Sequence, residues 1–298
     1  MITNLSLNKL FHLPQLFIPH HGLSRLAGFF ADSELFFLKN FLIKVFISVY
    51  KVNMSEATFY QPEHYKSFND FFTRTLKPEA RPITSLPRGI ACPADGTLSQ
   101  FGNILNNRLI QAKNKNYSLH KLLGGDQEKT DIFSQGKFAT IYLSPKDYHR
   151  VHMPVSGTLT DMAYIPGKLF SVNQRTTQME DELFARNERM IAYFDTEYGP
   201  MAVIMVGAMI VAGINTVWSG SVAPSISEGY TVSYRNREQA VYLNKGDEIG
   251  QFYLGSTVIV LFPQNSINWA GSLQMDHSVT MGKLFGELKE QLSTSEKN

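Results

Sequence analysis

The sequence predicts an α+β protein, a largely antiparallel β body carrying an N-terminal helical appendage. Three observations lead there. Turn signals recur through the second half, at Pro154-Val155-Ser156-Gly157, Pro166-Gly167, Tyr198-Gly199-Pro200, Ser219-Gly220 and Lys245-Gly246-Asp247, and short runs between such signals read as strands. The charge-free run Met201 to Trp218 is rich in β-branched residues and broken by Gly207 and Gly213, which argues for one or two buried strands over a membrane helix. Residues 11–52 differ from all that follows, with polar residues at helical spacing on a mostly apolar cylinder.

From the N-terminus, Phe17–Phe30 reads as a short apolar helix and Glu34–Lys51 as a longer one. In the second, Asn40, Lys44, Ser48 and Lys51 recur every three or four residues and form a narrow polar stripe. A membrane span needs about 20 largely uncharged residues, and Lys39, Lys44 and Lys51 interrupt this one, so an interfacial helix fits better. Whether its apolar face meets lipid, the protein's own core or a second copy in a homodimer stays open at this point. Glu56–Lys77 reads as a helix joining the appendage to the β body, and residues 174–192 as including another helical piece. The expected division is a membrane-facing helical region at 1–60 and a catalytic β-rich domain at 61–298. No tandem repeat or low-complexity segment stands out.

Composition sets bounds. The chain has 298 residues, 43% of them hydrophobic and 12% aromatic, enough for one large domain with an appendage or for two small ones. A net charge of +2 is too weak to imply a nucleic-acid partner. A single cysteine, Cys92, excludes an intrachain disulfide and suits a reducing compartment. The N-terminus lacks the charge and hydropathy pattern of a secretory signal, so the cytoplasmic side is expected.

The chemistry concentrates at Leu254-Gly255-Ser256-Thr257, between the strand-like runs Glu248–Tyr253 and Val258–Phe262. Glycine before serine removes the Cβ that would shield its carbonyl, so attack of a serine hydroxyl on its own backbone is sterically open. Such a serine needs a base, and the base a group that fixes its tautomer; Ser256, His152 and Asp95 can supply the three roles. Taken singly, Asp95 reads as a turn residue of Pro93-Ala94-Asp95-Gly96 and His152 as a structural histidine.

Five motifs occur in order: Pro93-Ala94-Asp95-Gly96-Thr97, Tyr148-His149-Arg150-Val151-His152-Met153-Pro154, Gly167–Asn173, Phe184–Arg189 and Leu254-Gly255-Ser256-Thr257. Together they resemble phosphatidylserine decarboxylase of the bacterial, pyruvoyl-dependent type, over nearly all of residues 13–285. The resemblance implies that Asp95, His152 and Ser256 form a triad that cuts the chain between Gly255 and Ser256. It implies that residue 256 becomes a covalent pyruvoyl group, so that no external cofactor is needed. That group forms a Schiff base with phosphatidylserine, whose decarboxylation gives phosphatidylethanolamine. It further implies a substrate-facing His149 serving decarboxylation or proton transfer, and a loop over the site in which Phe170 and Ser171 contact lipid and headgroup. A core role for Phe170 is the simpler alternative. The implied partners are phosphatidylserine, the membrane surface and the two chains of the same precursor, at a peripheral position on the cytoplasmic side of the cell membrane. No metal is implied, since His149 and His152 complete no known ligand spacing.

Two other functions compete. A serine hydrolase would use the same three residues, although a Gly-x-Ser-x-Gly elbow is missing. A non-catalytic carrier or binding module is suggested by the Lys245–Gly250 turn, which looks like those of lipoyl and biotinyl domains.

Overall fold

The computed structural model describes residues 28–112, 115–208, 213–223, 228–235, 239–253 and 256–289. The helix expected at 17–30 lies largely outside them, as does Gly255. The first long element is helix α1 (Phe36–Tyr50), closed by Lys51 in the left-handed region. After it come α2 (Phe68–Phe72), strands β1 (Gly89–Ala91) and β2 (Gly96–Asn103), and the hairpin β3 (Arg108–Ala112) and β4 (Lys115–Ser118). Helices α3 (Leu119–Leu122) and α4 (Gln127–Phe133) lead to β5 (Lys137–Leu143), β6 (Arg150–His152) and β7 (Gly157–Ile165). Short helices α5 (Gln174–Met179) and α6 (Leu183–Arg186) precede β8 (Arg189–Thr196), β9 (Gly199–Gly207), β10 (Gly213–Thr216), β11 (Gly220–Ala223), β12 (Tyr230–Ser233) and β13 (Tyr242–Leu243). The described chain closes with β14 (Glu248–Tyr253), β15 (Ser256–Phe262), β16 (Ile267–Trp269), β17 (Ser278–Val279) and β18 (Leu284–Leu288).

The pairings between these strands are antiparallel, as the turn-rich sequence predicts. The principal sheet runs β12-β7-β8-β9-β15-β5-β2-β17, with β13 added on β7. A four-stranded sheet runs β11-β10-β14-β6 and a three-stranded one β1-β18-β16. The charge-free run resolves into β9 and β10, with 209–212 between them outside the described residues.

Strand β15 is apolar on both sides because both sides are covered. Val258, Val260 and Phe262 pack in one core with Ile214, Ile249 and Phe252 of the four-stranded sheet and Phe285 and Leu288 of the three-stranded one. Ile259 and Leu261 face the other core, built from Leu109 and Tyr117 of the hairpin and from Leu119, Leu122, Phe133, Leu183 and Phe184 of the helices. Side chains alternate along a strand, so Ser256 falls on the face of Val258 and Val260, under the four-stranded sheet.

One reading of the N-terminal third is corrected. Glu56–Lys77 is not one helix: Ala57 bridges Leu76, Thr58 N–H donates to Thr75 O at 2.9 Å, and Lys77 N–H to Glu56 O at 2.9 Å, so the segment doubles back on itself. Its one α-helical stretch is α2, started by Ser67 Oγ accepting the Asp70 N–H at 3.2 Å, and Pro62 interrupts any longer run. The polar stripe of α1 lies only partly against the protein: Asn40 is buried, whereas Lys44, Ser48 and Lys51 are exposed. Lys39 and Asn40 are buried, Lys39 Nζ donates to Asn40 Oδ1 at 2.7 Å, and Lys44 pairs with Glu63 at 3.0 Å. Phe37 is 86% exposed and Phe41 64%, with Phe36, Val45 and Val49 also outward. Ile43 and Phe46 pack on Phe68, Phe71 and Phe72, a small aromatic core under the inner face.

Candidate active site

Ser256 opens β15 and is 0% exposed. It stands opposite Leu143 of β5 and Gly207 of β9, and among the described residues its Oγ has no hydrogen-bond partner. A buried hydroxyl left in that state costs about 1–3 kcal/mol, so the position is kept at the expense of stability.

His152 ends β6, opposite Glu248 of β14, and its N–H donates to Pro93 O at 2.8 Å, which ties it to the Pro93-Ala94-Asp95-Gly96 segment. Its Nδ1 lies 2.9 Å from Gly246 O. A carbonyl only accepts, so Nδ1 carries the proton and Nε2 keeps its lone pair. The Tyr148 hydroxyl sits 3.2 Å from Nε2 and donates to it. Burial lowers the pKa of His152, partly opposed by the Gly246 bond and by the Glu248 and Asp95 charges. The ring is a neutral base with its acceptor nitrogen already oriented.

Asp95 does not touch that ring among its hydrogen bonds. Its carboxylate takes Arg81 Nε at 2.9 and 3.0 Å, Arg81 Nη2, and the Met281 N–H at 2.8 Å. The backbone carbonyl of Gly246 therefore orients His152, the role expected of Asp95, and Asp95 acts on the ring only through its charge. Sequence reasoning missed Arg81, Tyr148 and the Gly246 carbonyl. Tyr148 stood inside a quoted motif, whereas a carbonyl leaves no residue-type signal.

His149 is 0% exposed. Its Nδ1 donates to Asp147 O at 2.9 Å, its Nε2 has no partner, and the Phe72 ring lies 4.0 Å away between centroids. Desolvation drives its pKa down to about 3. The two histidines, three residues apart, occupy separate surroundings, as an extended segment requires.

Both histidines thus stay neutral in the fold while an unfolded chain protonates them near pH 6.5. Below that value the unfolded state binds protons that the native state refuses. Their contribution is fully present above pH 6.5 and falls by about 1.4 kcal/mol per pH unit for His149 on the way to pH 3. Melting temperatures between pH 7 and 5 should drop less steeply for His149→Phe than for the unaltered chain; parallel slopes would refute this.

The motifs Gly167–Asn173 and Phe184–Arg189 bind one another. Lys168 N–H donates to Arg186 O, Glu188 N–H to Lys168 O, and the Asn187 side chain bridges Phe170 N–H, Phe170 O and Gly207 O at 3.1, 2.8 and 2.9 Å. A Cβ on Gly167 would lie 2.4 Å from Arg186 O, so only glycine allows this approach. Asn187 thereby braces Gly207, the partner of Ser256. Phe170 is 3% exposed in the helix-side core with the Arg186 guanidinium 4.9 Å from its ring centre, and Ser171 Oγ accepts from Asn173 at 2.9 Å. The core alternative describes Phe170 as it stands here. In the Lys245–Gly250 turn, which suggested a carrier module, Lys245 Nζ donates to Leu86 O and Gly89 O at 2.8 and 3.1 Å. Among the described residues no group of His, Cys, Asp and Glu is arranged to hold a metal ion.

Comparison with known proteins adds the following. The family model for phosphatidylserine decarboxylase matches residues 68–287, and one described as PSD matches 10–51. A protein of Saccharophagus degradans is 51% identical over 284 residues, 95% of this chain and 99% of its own. Relatives from Pseudomonas putida and Pseudomonas entomophila are each 53% identical, over 94% and 93% of this chain and 98% and 97% of theirs. All three are named phosphatidylserine decarboxylase proenzyme.

Proposed function

The chain belongs to the phosphatidylserine decarboxylase family, and from that premise we propose that it cuts itself between Gly255 and Ser256 and turns residue 256 into a pyruvoyl group. With that group it converts phosphatidylserine to phosphatidylethanolamine. The observation that carries the reading is Ser256 itself, a buried serine at the head of a central strand with an unpartnered hydroxyl, on the sheet face covered by the strand of His152.

In the maturation step His152 Nε2 takes the Oγ proton, directly once the Tyr148 hydroxyl yields or through that hydroxyl, and Oγ attacks the Gly255 carbonyl. The peptide bond becomes an ester. Loss of the residue 256 α-proton then expels the upstream chain with Gly255 as its carboxylate end. Tautomerisation and hydrolysis of the remaining dehydroalanine release ammonia and leave the pyruvoyl terminus. The site suits that group: no described residue hydrogen-bonds the Ser256 side chain, so exchanging its hydroxymethyl for a ketone strands no donor among them. Once formed, the group supplies a ketone that condenses with the substrate's amine and takes up the electron pair of the breaking bond.

The chain's own residues do the rest. Neutral His149 can take a proton at Nε2 from the substrate's ammonium, making the amine nucleophilic, and return it to Cα after carbon dioxide leaves. The Phe72 ring against it keeps water out, which favours a neutral leaving group over a buried carboxylate. Phe170 and Ser171 are assigned to substrate on the family resemblance alone. The test is the mass of the small chain, a pyruvoyl-blocked segment starting at 256, together with carbon dioxide release from phosphatidylserine vesicles. An unblocked or uncut chain that still decarboxylates would overturn the reading.

The same reading assigns residues 1–60 to the membrane surface and 61–298 to catalysis, with the protein peripheral on the cytoplasmic face. Its support is the outward apolar side of α1; no helix of the described residues is long and apolar enough to cross a membrane. Phe37→Glu with Phe41→Glu should cut vesicle sedimentation severalfold and leave self-cleavage intact. Unchanged sedimentation would remove α1 from lipid contact, and loss of a dimer instead would assign its face to a second copy.

A further inference from the structure

Arg81 lies beside the maturation site without belonging to any of the five sequence motifs. Its Nε and Nη2 grip both oxygens of Asp95, Nη2 also reaches Glu56 Oε2 at 3.0 Å, and Nη1 donates to Ala80 O at 2.7 Å. Both side chains are nearly enclosed, 12% exposed for Arg81 and 10% for Asp95. The remaining contact of Asp95 is the Met281 N–H, which lies downstream of Ser256 and so belongs to the small chain after cleavage. A fork of this kind fixes a carboxylate in position and plane, which a lysine cannot do.

We propose that Arg81 is a positioning residue for self-cleavage, holding the Asp95 carboxylate fixed beside His152. The inference rests on the reading of His152 as the base. Because Gly246 O already occupies His152 Nδ1, Asp95 can aid the base only by its charge, which favours the positive ring that forms when His152 takes the serine proton. A nearly buried carboxylate without its cation is an uncompensated charge that swings toward water. Arg81 prevents that. Asp147 opposes it as a second negative charge near Asp95, Arg74 adds a second cation, and Tyr148 lies within the same field. His152 is faced by Tyr148, Glu248 and Arg150 as well.

The test follows the loss of the full-length chain during refolding, for the unaltered chain and for Arg81→Ala, Arg81→Lys, His152→Ala and Ser256→Ala. Without the Arg81 fork the Asp95 carboxylate is no longer held in place, so cleavage by Arg81→Ala should slow on the order of tenfold to a hundredfold. Arg81→Lys, with charge but no fork, should lie between, and methylguanidinium should restore part of the Arg81→Ala rate. A rate unchanged by Arg81→Ala, or lowered with no rescue by methylguanidinium, overturns the inference. Should Arg81→Ala not fold, Arg81→Gln, which keeps the first part of the stem and a donor but no charge, carries the same expectation. If the unaltered chain stays whole or His152→Ala cleaves normally, the self-cleavage reading itself has failed, and the two failures are told apart by those controls.

Discussion

Ser256→Ala should leave the protein as one chain of 33.7 kDa that releases no carbon dioxide from phosphatidylserine, while the unaltered protein separates under denaturing conditions into segments 1–255 and 256–298. The size of the effect follows from the chemistry. No neighbouring group can replace the attacking oxygen, and loss of a nucleophile or its base costs at least about 10⁴-fold. His152→Ala should behave alike, since an unassisted serine hydroxyl is a poor nucleophile. Under native conditions the two segments should remain together. The downstream segment supplies β15, wedged between β5 and β9, along with β17 on β2 and β18 on β1, and cutting one peptide bond removes none of those pairings. Mass spectrometry of protein held under folding conditions decides the matter: an intact species that persists in the unaltered chain, or a cut in Ser256→Ala, refutes the scheme.

The β body was legible because its residues state their surroundings. The β-branched run at 201–218 reads as buried strand, and its described residues up to Thr216 form most of β9 and all of β10; the apolar run after Ser256 became a strand covered on both faces. The N-terminal third was harder. The polar stripe of α1 shows a helix, but the sequence does not say that Lys39 and Asn40 turn inward while Phe37 and Phe41 face out, since that depends on carbonyls and carboxylates supplied by residues 62 and 63. Residues 56–77 carry helix-compatible letters, yet their ends pair with each other, a long-range contact no local pattern contains. At the site, the residue types Asp95, His149, His152 and Ser256 were readable from motifs. What each one touches was not: the partner of His152 is a glycine carbonyl and that of Asp95 an arginine fourteen residues earlier.

His149→Ala should separate maturation from turnover. The precursor is still expected to cut itself, because His149 makes no hydrogen bond to His152, Asp95 or Ser256; its Nδ1 is spent on Asp147 O and its Nε2 is unpartnered. Carbon dioxide release should fall by about 10²-fold or more, the usual contribution of a positioned acid or base, with the loss in kcat more than in KM, since proton return to Cα is a transition-state task. His149 Nε2 has no partner among the described residues, so in this scheme the proton it returns to Cα is the one it takes from the substrate's ammonium. In deuterated water that proton exchanges before substrate binds, and the product should carry one deuterium at the former carboxylate position in both proteins, more slowly in His149→Ala. Cleavage blocked in His149→Ala would place the residue in maturation, and turnover within about twofold of the unaltered protein, well short of the usual general acid–base contribution, would remove it from proton transfer.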